Sequence, residues 1–175
     1  MRRRISDDRL GMYTIRLVTN IGAPAERCFD LARSVEAHVR STRASGERVV
    51  AGRTSGLLEL GEEVTWEGRH FCVRQRLTSV ITRFERPWFF QDRMVRGAFA
   101  ALEHDHVFGE RADGSTEMVD VVRFAAPLGV VGWVVERLVL ARHLRRLLEE
   151  RGTVLKALAE SDGWREYCAA GGVEG

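Results

Sequence analysis

The 175-residue sequence predicts one α+β domain in which a curved antiparallel sheet closes over a long C-terminal α-helix. Two changes of hydrophobic period predict this class. Hydrophobic residues alternate with a period of two from residue 47 to 124, and after Pro127 they return at helical spacing up to about residue 160. Several strands at close spacing, with no helix between them, indicate an antiparallel meander. A sheet with one apolar face must bury that face, and a helix as long as the domain can cover it.

The first quarter of the chain predicts one strand followed by two short helices. Residues 12–19 alternate between apolar and polar side chains, as a half-buried strand does. Pro24 suits the first turn of a helix, and Glu26 favours the positive end of that helix. Ser34 is a typical N-cap for a second, shorter helix.

A run of six strands is predicted next. Their bounds are residues 47–53, 62–67, 70–84, 88–95, 99–110 and 115–125. The third run is long for a single strand, so we predict a β-bulge near Thr78 and Ser79.

The last predicted element is a helix over residues 129–160, about 48 Å long at 1.5 Å per residue. Gly152 is its weak point, because an interior glycine costs about 1 kcal/mol relative to alanine. The predicted domain covers residues 12–160, with an N-terminal arm at 1–11 and a flexible tail at 161–175. A straight helix cannot touch a strongly curved sheet along its whole length, so we expect a cavity between them.

Composition, charge and cysteine content exclude several classes of protein. The hydrophobic fraction of 45% and the charged fraction of 30% are those of an ordinary globular chain. The net charge is only +2, and acidic residues are interleaved with arginines, so we expect no nucleic-acid partner. Cys28, Cys72 and Cys168 are far apart and odd in number, which predicts a reducing cytoplasm rather than a disulfide framework. The longest apolar stretch, residues 128–135, is too short to span a membrane.

Several local strings carry a resemblance to a known superfamily. They are APAERCFDL at residues 23–31, GAF at 97–99 followed by EHDHVF at 103–108, GSTEMVD at 114–120 and PLG at 127–129. These strings and the order of the elements resemble the START-like, helix-grip superfamily, also called SRPBCC. Within it they are most similar to the bacterial polyketide cyclase/dehydrase-like and coenzyme Q-binding-like branches. The resemblance covers about residues 12–160.

This resemblance implies a helix-grip fold with a hydrophobic cavity for lipids, polyketides, isoprenoids or related small molecules. It implies no bound metal and no cofactor. It assigns no substrate, because one fold carries many functions.

Strand parity predicts a histidine and an aspartate on the inner face of the sheet. His104 and His106 lie on the same side of one strand, and Asp120 lies on the inner side of the next. A three-residue hairpin loop at residues 112–114 places His106 opposite Asp120, whereas a two-residue shift places His104 there. Either register brings a histidine to Asp120.

Three interpretations of this pair remain open. It can be a structural hydrogen bond that holds the strand register, because buried polar groups almost always have partners. It can be the polar end of a ligand pocket. It can also act as a general acid/base, or bind a metal through His104, His106 and Asp120 as a set of two histidines and one carboxylate. The resemblance argues against a metal, and we assign no catalytic residue.

The predicted ligand-binding residues are those that parity places on the inner face. Most are apolar, and such residues are more often plain core than ligand contacts, whereas a polar residue on an apolar face needs a partner. Trp133, early in the last helix, either caps the cavity or packs as a core aromatic. The full set is Trp66, Gln75, Phe90, Asp92, Phe99, His104, His106, Met118, Asp120 and Trp133.

Three functions follow from these features. The first is binding of a small hydrophobic or amphipathic molecule in the cavity. The second is a cyclase or dehydratase that uses His104 or His106 as the base and Asp120 to orient it. The third is a membrane-peripheral or protein-interaction module that uses the arginine-rich outer side of the last helix, residues 137–151. The oligomeric state is left open.

Overall fold

The computed structural model describes residues 12–70, 72–126 and 139–168, and it confirms the predicted α+β class and the order of elements. The elements are β1 Tyr13–Ile21, α1 Ala25–Ala32, α2 Val35–Ser41, a 3₁₀ turn Arg43–Ser45, β2 Arg48–Gly52, β3 Glu63–His70, β4 Val73–Glu85, β5 Phe89–Arg96, β6 Ala101–Glu110, β7 Thr116–Ala125, α3 Ala141–Ala159 and α4 Trp164–Cys168.

The seven strands form one curved antiparallel sheet in the order β1-β7-β6-β5-β4-β3-β2. The first strand therefore pairs with the last, and the strands between them follow as a meander. The register of β4 against β5 shifts between Thr78 and Ser79, where the bulge was predicted, and again between Ile81 and Arg83. Bulges bend a strand and increase its twist, which helps this sheet to curve.

Helix α3 packs against β1, α1 and α2. It runs through Gly152 without a break, although the sequence makes this glycine its weak point. A Cβ atom at position 152 would lie 2.6 Å from Oγ1 of Thr19 on β1, so the glycine allows a close approach of helix and strand. The predicted N-terminal part of this helix, residues 129–138 with Trp133, lies outside the described residues, as does the 127–129 string. None of the helices in the described ranges has the length and apolar character that a membrane span requires.

The chain after α3 differs from the flexible tail that the sequence predicts. Trp164–Cys168 form the short helix α4, in which Tyr167 is buried. Arg40 donates a hydrogen bond to the Tyr167 hydroxyl at 2.8 Å, and the Arg27 guanidinium lies 4.6 Å from the Trp164 ring centroid. These contacts with α1 and α2 order the segment. Residues 1–11 and 169–175 lie outside the described residues.

The glycine at the end of β2 gives a testable prediction. Gly52 has a φ of +77°, and a Cβ atom there would overlap the carbonyl oxygen of Glu63, which accepts a hydrogen bond from the Arg53 amide. Gly61 has a similar φ of +81°, but among the described residues nothing lies within 4 Å of its Cβ position. Gly61→Ala is expected to lower the free energy of unfolding by about 1–2 kcal/mol through backbone strain alone. Gly52→Ala should lose at least about 1 kcal/mol more. Urea unfolding of both variants measures the difference, and equal losses would contradict the role given to the Glu63 carbonyl.

Candidate functional site

A cavity of about 380 Å³ lies between the concave face of the sheet and α3. Strands β3 to β7 supply most of its wall, and the half-buried Leu144 and Leu147 of α3 face them. The wall is mostly apolar. Two clusters of polar side chains form part of the wall and together contain all five histidines of the chain.

The first cluster, called here the His/Asp cluster, consists of Asp92 on β5, His104 and His106 on β6, and Asp120 on β7. The register of the three strands brings them together, because Asp92 lies opposite His104 and His106 lies opposite Asp120. The second of these pairings is the one that the three-residue hairpin loop predicts. Of the two registers that the sequence leaves open, the structure has this one, and the loop glycine, Gly114, has a φ of +77°.

The hydrogen bonds of the His/Asp cluster run diagonally rather than straight across the strands. His104 Nε2 lies 2.8 Å from Asp120 Oδ1, and His106 Nε2 lies 3.0 Å from Asp92 Oδ2. The two imidazole rings are 3.7 Å apart between centroids, and the Phe90 ring stacks on His106 at 4.1 Å. Each histidine is therefore held by the aspartate that is not its direct neighbour.

Arg151 of α3 completes the cluster from the helix side. Its Nη1 donates to Asp120 Oδ1 at 3.2 Å, and its Nη2 donates to the carbonyl oxygen of Ala32 at 2.9 Å. Asp120 is 1% exposed and Arg151 is 6% exposed, so this is a buried ion pair. The sequence predicts that Arg151 lies on the outer side of the helix. It instead lies on the buried stripe, because it follows Leu148 by three residues and precedes Leu155 by four.

Burial and charge set the protonation states in the cluster. Burial raises the pKa of Asp92 and of Asp120, but hydrogen bonds from the histidines and the charge of Arg151 outweigh it. The pKa of Asp92 therefore lies below its usual value, and that of Asp120 lies well below it. Burial, followed by the nearby His106, lowers the pKa of His104. Near neutral pH the cluster contains two carboxylates and a neutral His104.

The second cluster, called here the Glu47 cluster, lies at the β2–β3 side of the cavity. His38 Nε2 donates to Glu47 Oε2 at 2.9 Å, and the Ser45 hydroxyl donates to Oε1 at 2.9 Å. His70 Nε2 lies 3.6 Å from Glu47 Oε1, while its Nδ1 lies 3.0 Å from His143 Nε2 on α3. Sequence reasoning missed these residues. They come from separate elements, and no local spacing connects them.

The Glu47 cluster gives a prediction for the pH dependence of stability. Burial raises the pKa of Glu47, but hydrogen bonds from His38 and Ser45 and the charges of His38 and His70 leave it below its usual 4.5. Because the folded-state pKa is lowered, ionised Glu47 stabilises the fold above the unfolded pKa, and this contribution is lost as the pH falls through the folded value. Glu47→Gln should therefore flatten the fall in unfolding free energy below about pH 5. Urea unfolding over the acid range measures it, with the exposed Glu110→Gln as control. An unchanged slope in Glu47→Gln would contradict the prediction.

The structure distributes the predicted ligand-binding residues over three places. Asp120 lies behind the two histidines and is buried. Met118 is fully buried in the main hydrophobic core with Phe29 and Phe108, because α1 packs on this end of the sheet. Trp133 lies outside the described residues. The predicted residues on the cavity wall are Trp66, Gln75, Phe90, Asp92, Phe99, His104 and His106.

One set of side chains in the described part of the chain has the composition of a metal site. Ligand atoms of Asp92, His104 and His106 all lie within 4.8 Å of one another. The sequence suggested Asp120 as the carboxylate of such a set. In the structure Asp120 bonds His104 from behind, and Asp92 supplies the carboxylate on the cavity side.

Comparison with solved structures identifies the class of fold. The chain is similar to a START superfamily protein from Mycobacterium smegmatis, with 13% identity, a TM-score of 0.64, and coverage of 86% of this chain and 98% of that one. It is also similar to major latex-like protein 151 from Panax ginseng, with 11% identity, a TM-score of 0.64, and coverage of 86% and 99%. A third similar structure is the protein TTHA0849 from Thermus thermophilus, with 18% identity, a TM-score of 0.63, and coverage of 84% and 99%.

These similarities extend over most of each chain and show a START-like helix-grip fold, as the sequence strings predict. At such low identities they show the fold alone. No family model matches the sequence, and no curated protein matches it.

Proposed function

We propose that this protein binds a small hydrophobic or amphipathic molecule, of lipid, isoprenoid or polyketide type, in the cavity between sheet and helix. The observation that carries the proposal is a largely apolar cavity of about 380 Å³ with two clusters of polar side chains in its wall. This volume falls within the range of about 300–1,000 Å³ that is typical of small-molecule pockets.

Affinity in such a cavity comes from the apolar wall. Removal of apolar surface from water contributes about 25 cal/mol per Å². Leu77, Ile81 and Phe90 of the sheet and Leu144 and Leu148 of the helix present surface of this kind. The resulting affinity is sensitive to shape but tolerant of chemistry, as expected for an acyl, prenyl or polycyclic group.

The His/Asp cluster favours a hydrogen-bond donor at the polar end of the bound molecule, called here the guest. The cluster contains two negatively charged carboxylates and only one positively charged guanidinium. Both Nη atoms of that guanidinium, on Arg151, already donate hydrogen bonds. The cluster therefore offers acceptors to the cavity, from Asp92 and from the free nitrogen of His104. A hydroxyl or phenol of the guest can donate to these atoms, whereas a guest carboxylate would be repelled.

A second candidate function is acid/base chemistry of the polyketide cyclase or dehydratase type. The supporting observation is His104, whose Nε2 is held by Asp120 while its ring forms part of the cavity wall. A neutral imidazole oriented by a carboxylate can take a proton from a substrate through its other nitrogen. His104→Gln would then abolish turnover of an aromatic polyketide substrate and leave binding of apolar molecules in place.

The direct experiment is native mass spectrometry of the purified protein, followed by extraction and identification of co-purified molecules. A bound lipid, isoprenoid or polyketide supports carriage. The protein is then offered dodecanol and 2-naphthol as probes, and saturable binding of at least one is expected. Absence of both a co-purified guest and probe binding would overturn the proposal.

Filling the cavity with larger side chains should weaken binding of the probes. The variant that does this is called here the plugged variant. Leu77→Trp combined with Leu144→Trp adds bulk from both walls and should weaken probe binding at least ten-fold. Val107→Trp, on the exposed outer face of β6, adds the same side chain outside the cavity and should leave the affinity unchanged. Fluorescence titration measures both variants. Equal affinity of the plugged variant and the wild type would exclude this cavity as the binding site.

We also propose that the protein works in the cytoplasm and without a nucleic-acid partner. Cys28, Cys72 and Cys168 are free thiols, which suits a reducing compartment. The membrane-peripheral alternative loses one of its charges, because Arg151 points inward to Asp120. Salt-sensitive binding to anionic liposomes would favour that alternative.

A further inference from the structure

The hydrogen atoms of the His/Asp cluster can be assigned from its geometry. A carboxylate only accepts hydrogen bonds, so the ring nitrogen bonded to each aspartate must carry a proton. His104 Nε2 therefore donates to Asp120, and His106 Nε2 donates to Asp92. In a neutral imidazole the other nitrogen, Nδ1, then carries a lone pair.

Both of these lone pairs lie near carboxylate oxygens. His104 Nδ1 is 3.8 Å from Asp92 Oδ2, and His106 Nδ1 is 3.1 Å from Asp120 Oδ1 but not in hydrogen-bonding geometry. Within the described part of the chain, His106 Nδ1 and Asp120 Oδ2 are buried side-chain atoms without a hydrogen-bond partner. Such atoms are rare in folded proteins and call for an explanation.

The charge balance of the cluster also favours a bound cation. Asp92 and Asp120 each carry a negative charge, and Arg151 supplies one positive charge in contact with Asp120. Two carboxylates are therefore grouped with one guanidinium, and Asp92 lies on the cavity side. A buried charge without a counterion is costly, so the arrangement favours the uptake of a cation.

We propose that Asp92, His104 and His106 form a binding site for a divalent first-row transition metal ion. The ligand atoms would be Asp92 Oδ2, His104 Nδ1 and His106 Nε2. Two ligand atoms each about 2.1 Å from a metal are about 3.0–3.4 Å apart in octahedral or tetrahedral geometry. The distances from Asp92 Oδ2 are 3.0 Å to His106 Nε2 and 3.8 Å to His104 Nδ1, and ligand atoms of the three residues all lie within 4.8 Å of one another.

A metal ion at this point explains the unpartnered His106 Nδ1. When His106 Nε2 binds the metal, its proton moves to Nδ1, which faces Asp120 Oδ1. His104 continues to donate from Nε2 to the same aspartate. Asp120 then orients both ligating histidines from behind, as outer carboxylates do at metal sites, and Arg151 compensates its charge.

The donor set narrows the choice of ion. Two imidazoles and one carboxylate suit Zn²⁺, Fe²⁺, Co²⁺ or Mn²⁺ rather than Ca²⁺ or Mg²⁺, which prefer oxygen ligands. Three protein ligands leave coordination positions on the cavity side, where an oxygen atom of a guest can bind. This inference goes beyond the proposed function, because metal binding does not require an apolar guest.

The test is a titration of chelator-treated wild-type protein with Co²⁺ and Zn²⁺, without any guest. Calorimetry should show one equivalent of tight binding, and Co²⁺ should give visible absorption bands of a bound ion. Proton NMR of the wild-type Co²⁺ complex should show contact-shifted ring protons from His104 and His106 only. This readout requires no substitution and is unaffected by variants that fail to fold.

Variants separate the ligands from the other cavity histidines. His104→Gln and Asp92→Asn should weaken metal binding at least 100-fold, and Asp120→Asn about 10- to 100-fold. His143→Gln, a change at a cavity histidine of the Glu47 cluster, is the matched control and should bind as the wild type does. Circular dichroism confirms that each variant is folded.

Two results would overturn the proposal. The first is no stoichiometric metal binding by folded wild type. The second is equal loss in His143→Gln and His104→Gln. Guest binding is measured separately in the presence of chelator, so failure of the metal site and failure of the proposed function are distinguishable.

Discussion

Replacement of Asp120 by alanine is expected to lower the free energy of unfolding by about 3–5 kcal/mol, because it leaves the Arg151 guanidinium buried without its counterion. The same substitution removes the acceptor for His104 Nε2. Urea unfolding of metal-free protein, followed by tryptophan fluorescence, measures the loss. A loss below about 1 kcal/mol would mean that water or a side-chain movement solvates Arg151 and that the ion pair is not buried in solution.

Two further variants test the cause of this loss. Asp162, whose side chain is 94% exposed, lies 3.6 Å from Arg165, so Asp162→Ala removes one member of a surface pair and should cost less than about 1 kcal/mol. In the double variant Asp120→Ala, Arg151→Met, no charge is left unpaired. It should recover part of the stability lost in Asp120→Ala, because removing both partners is milder than removing one.

Phe29→Ala is the second substitution with a large expected effect, a loss of about 3–5 kcal/mol. The Phe29 side chain is 0% exposed and makes edge contacts with Phe84, Phe90 and Phe108 at 5.2, 5.3 and 5.4 Å between ring centroids. Alanine would leave a cavity at the centre of the main core. Chemical denaturation gives the magnitude.

Phe29→Ala should also lower the probe affinity of the candidate site. Phe90 packs on Phe29 on one side and stacks on His106 on the other, so its loosening changes the position of that imidazole. Probe affinity is therefore expected to fall together with stability. Phe89→Ala, at a half-buried phenylalanine beside Arg83, is the control and should lose less than about 2 kcal/mol. Equal losses in the two variants would contradict the central place of Phe29.

Local sequence features predicted the strands and much of their pairing. Apolar and polar residues alternate over a few positions in each strand, and this pattern predicts the strand. The bulge at Thr78 and Ser79 follows from the length of the run at residues 70–84. The loop residues ending in Gly114 left two hairpin registers open, and one of them is the observed pairing of His106 with Asp120. All these features depend on neighbours in the chain, which the sequence displays directly.

The bonding within the site was not predictable in the same way. The register makes His106 and Asp120 direct neighbours, yet His106 donates to Asp92 and His104 donates to Asp120. This crossed pattern depends on the curvature and twist of three strands and on Arg151, which arrives from the helix. The sequence does contain a signal for the burial of Arg151. Arg151 lies three residues after Leu148 and four before Leu155, and this spacing places all three on the same helix face.

The sequence by itself determined the α+β class, the order of elements, the antiparallel meander and the inner faces of the strands, because periodicity and turn chemistry act over a few residues. Only the tertiary structure decided that all five histidines line one cavity. It also joined Glu47, from the loop before β2, to His38 of α2 and His70 of β3. It placed Met118 in the core rather than on the cavity wall. Such contacts arise from the packing of α1, α2 and α3 across a curved sheet. They join residues that are far apart in the chain, so no local sequence pattern predicts them.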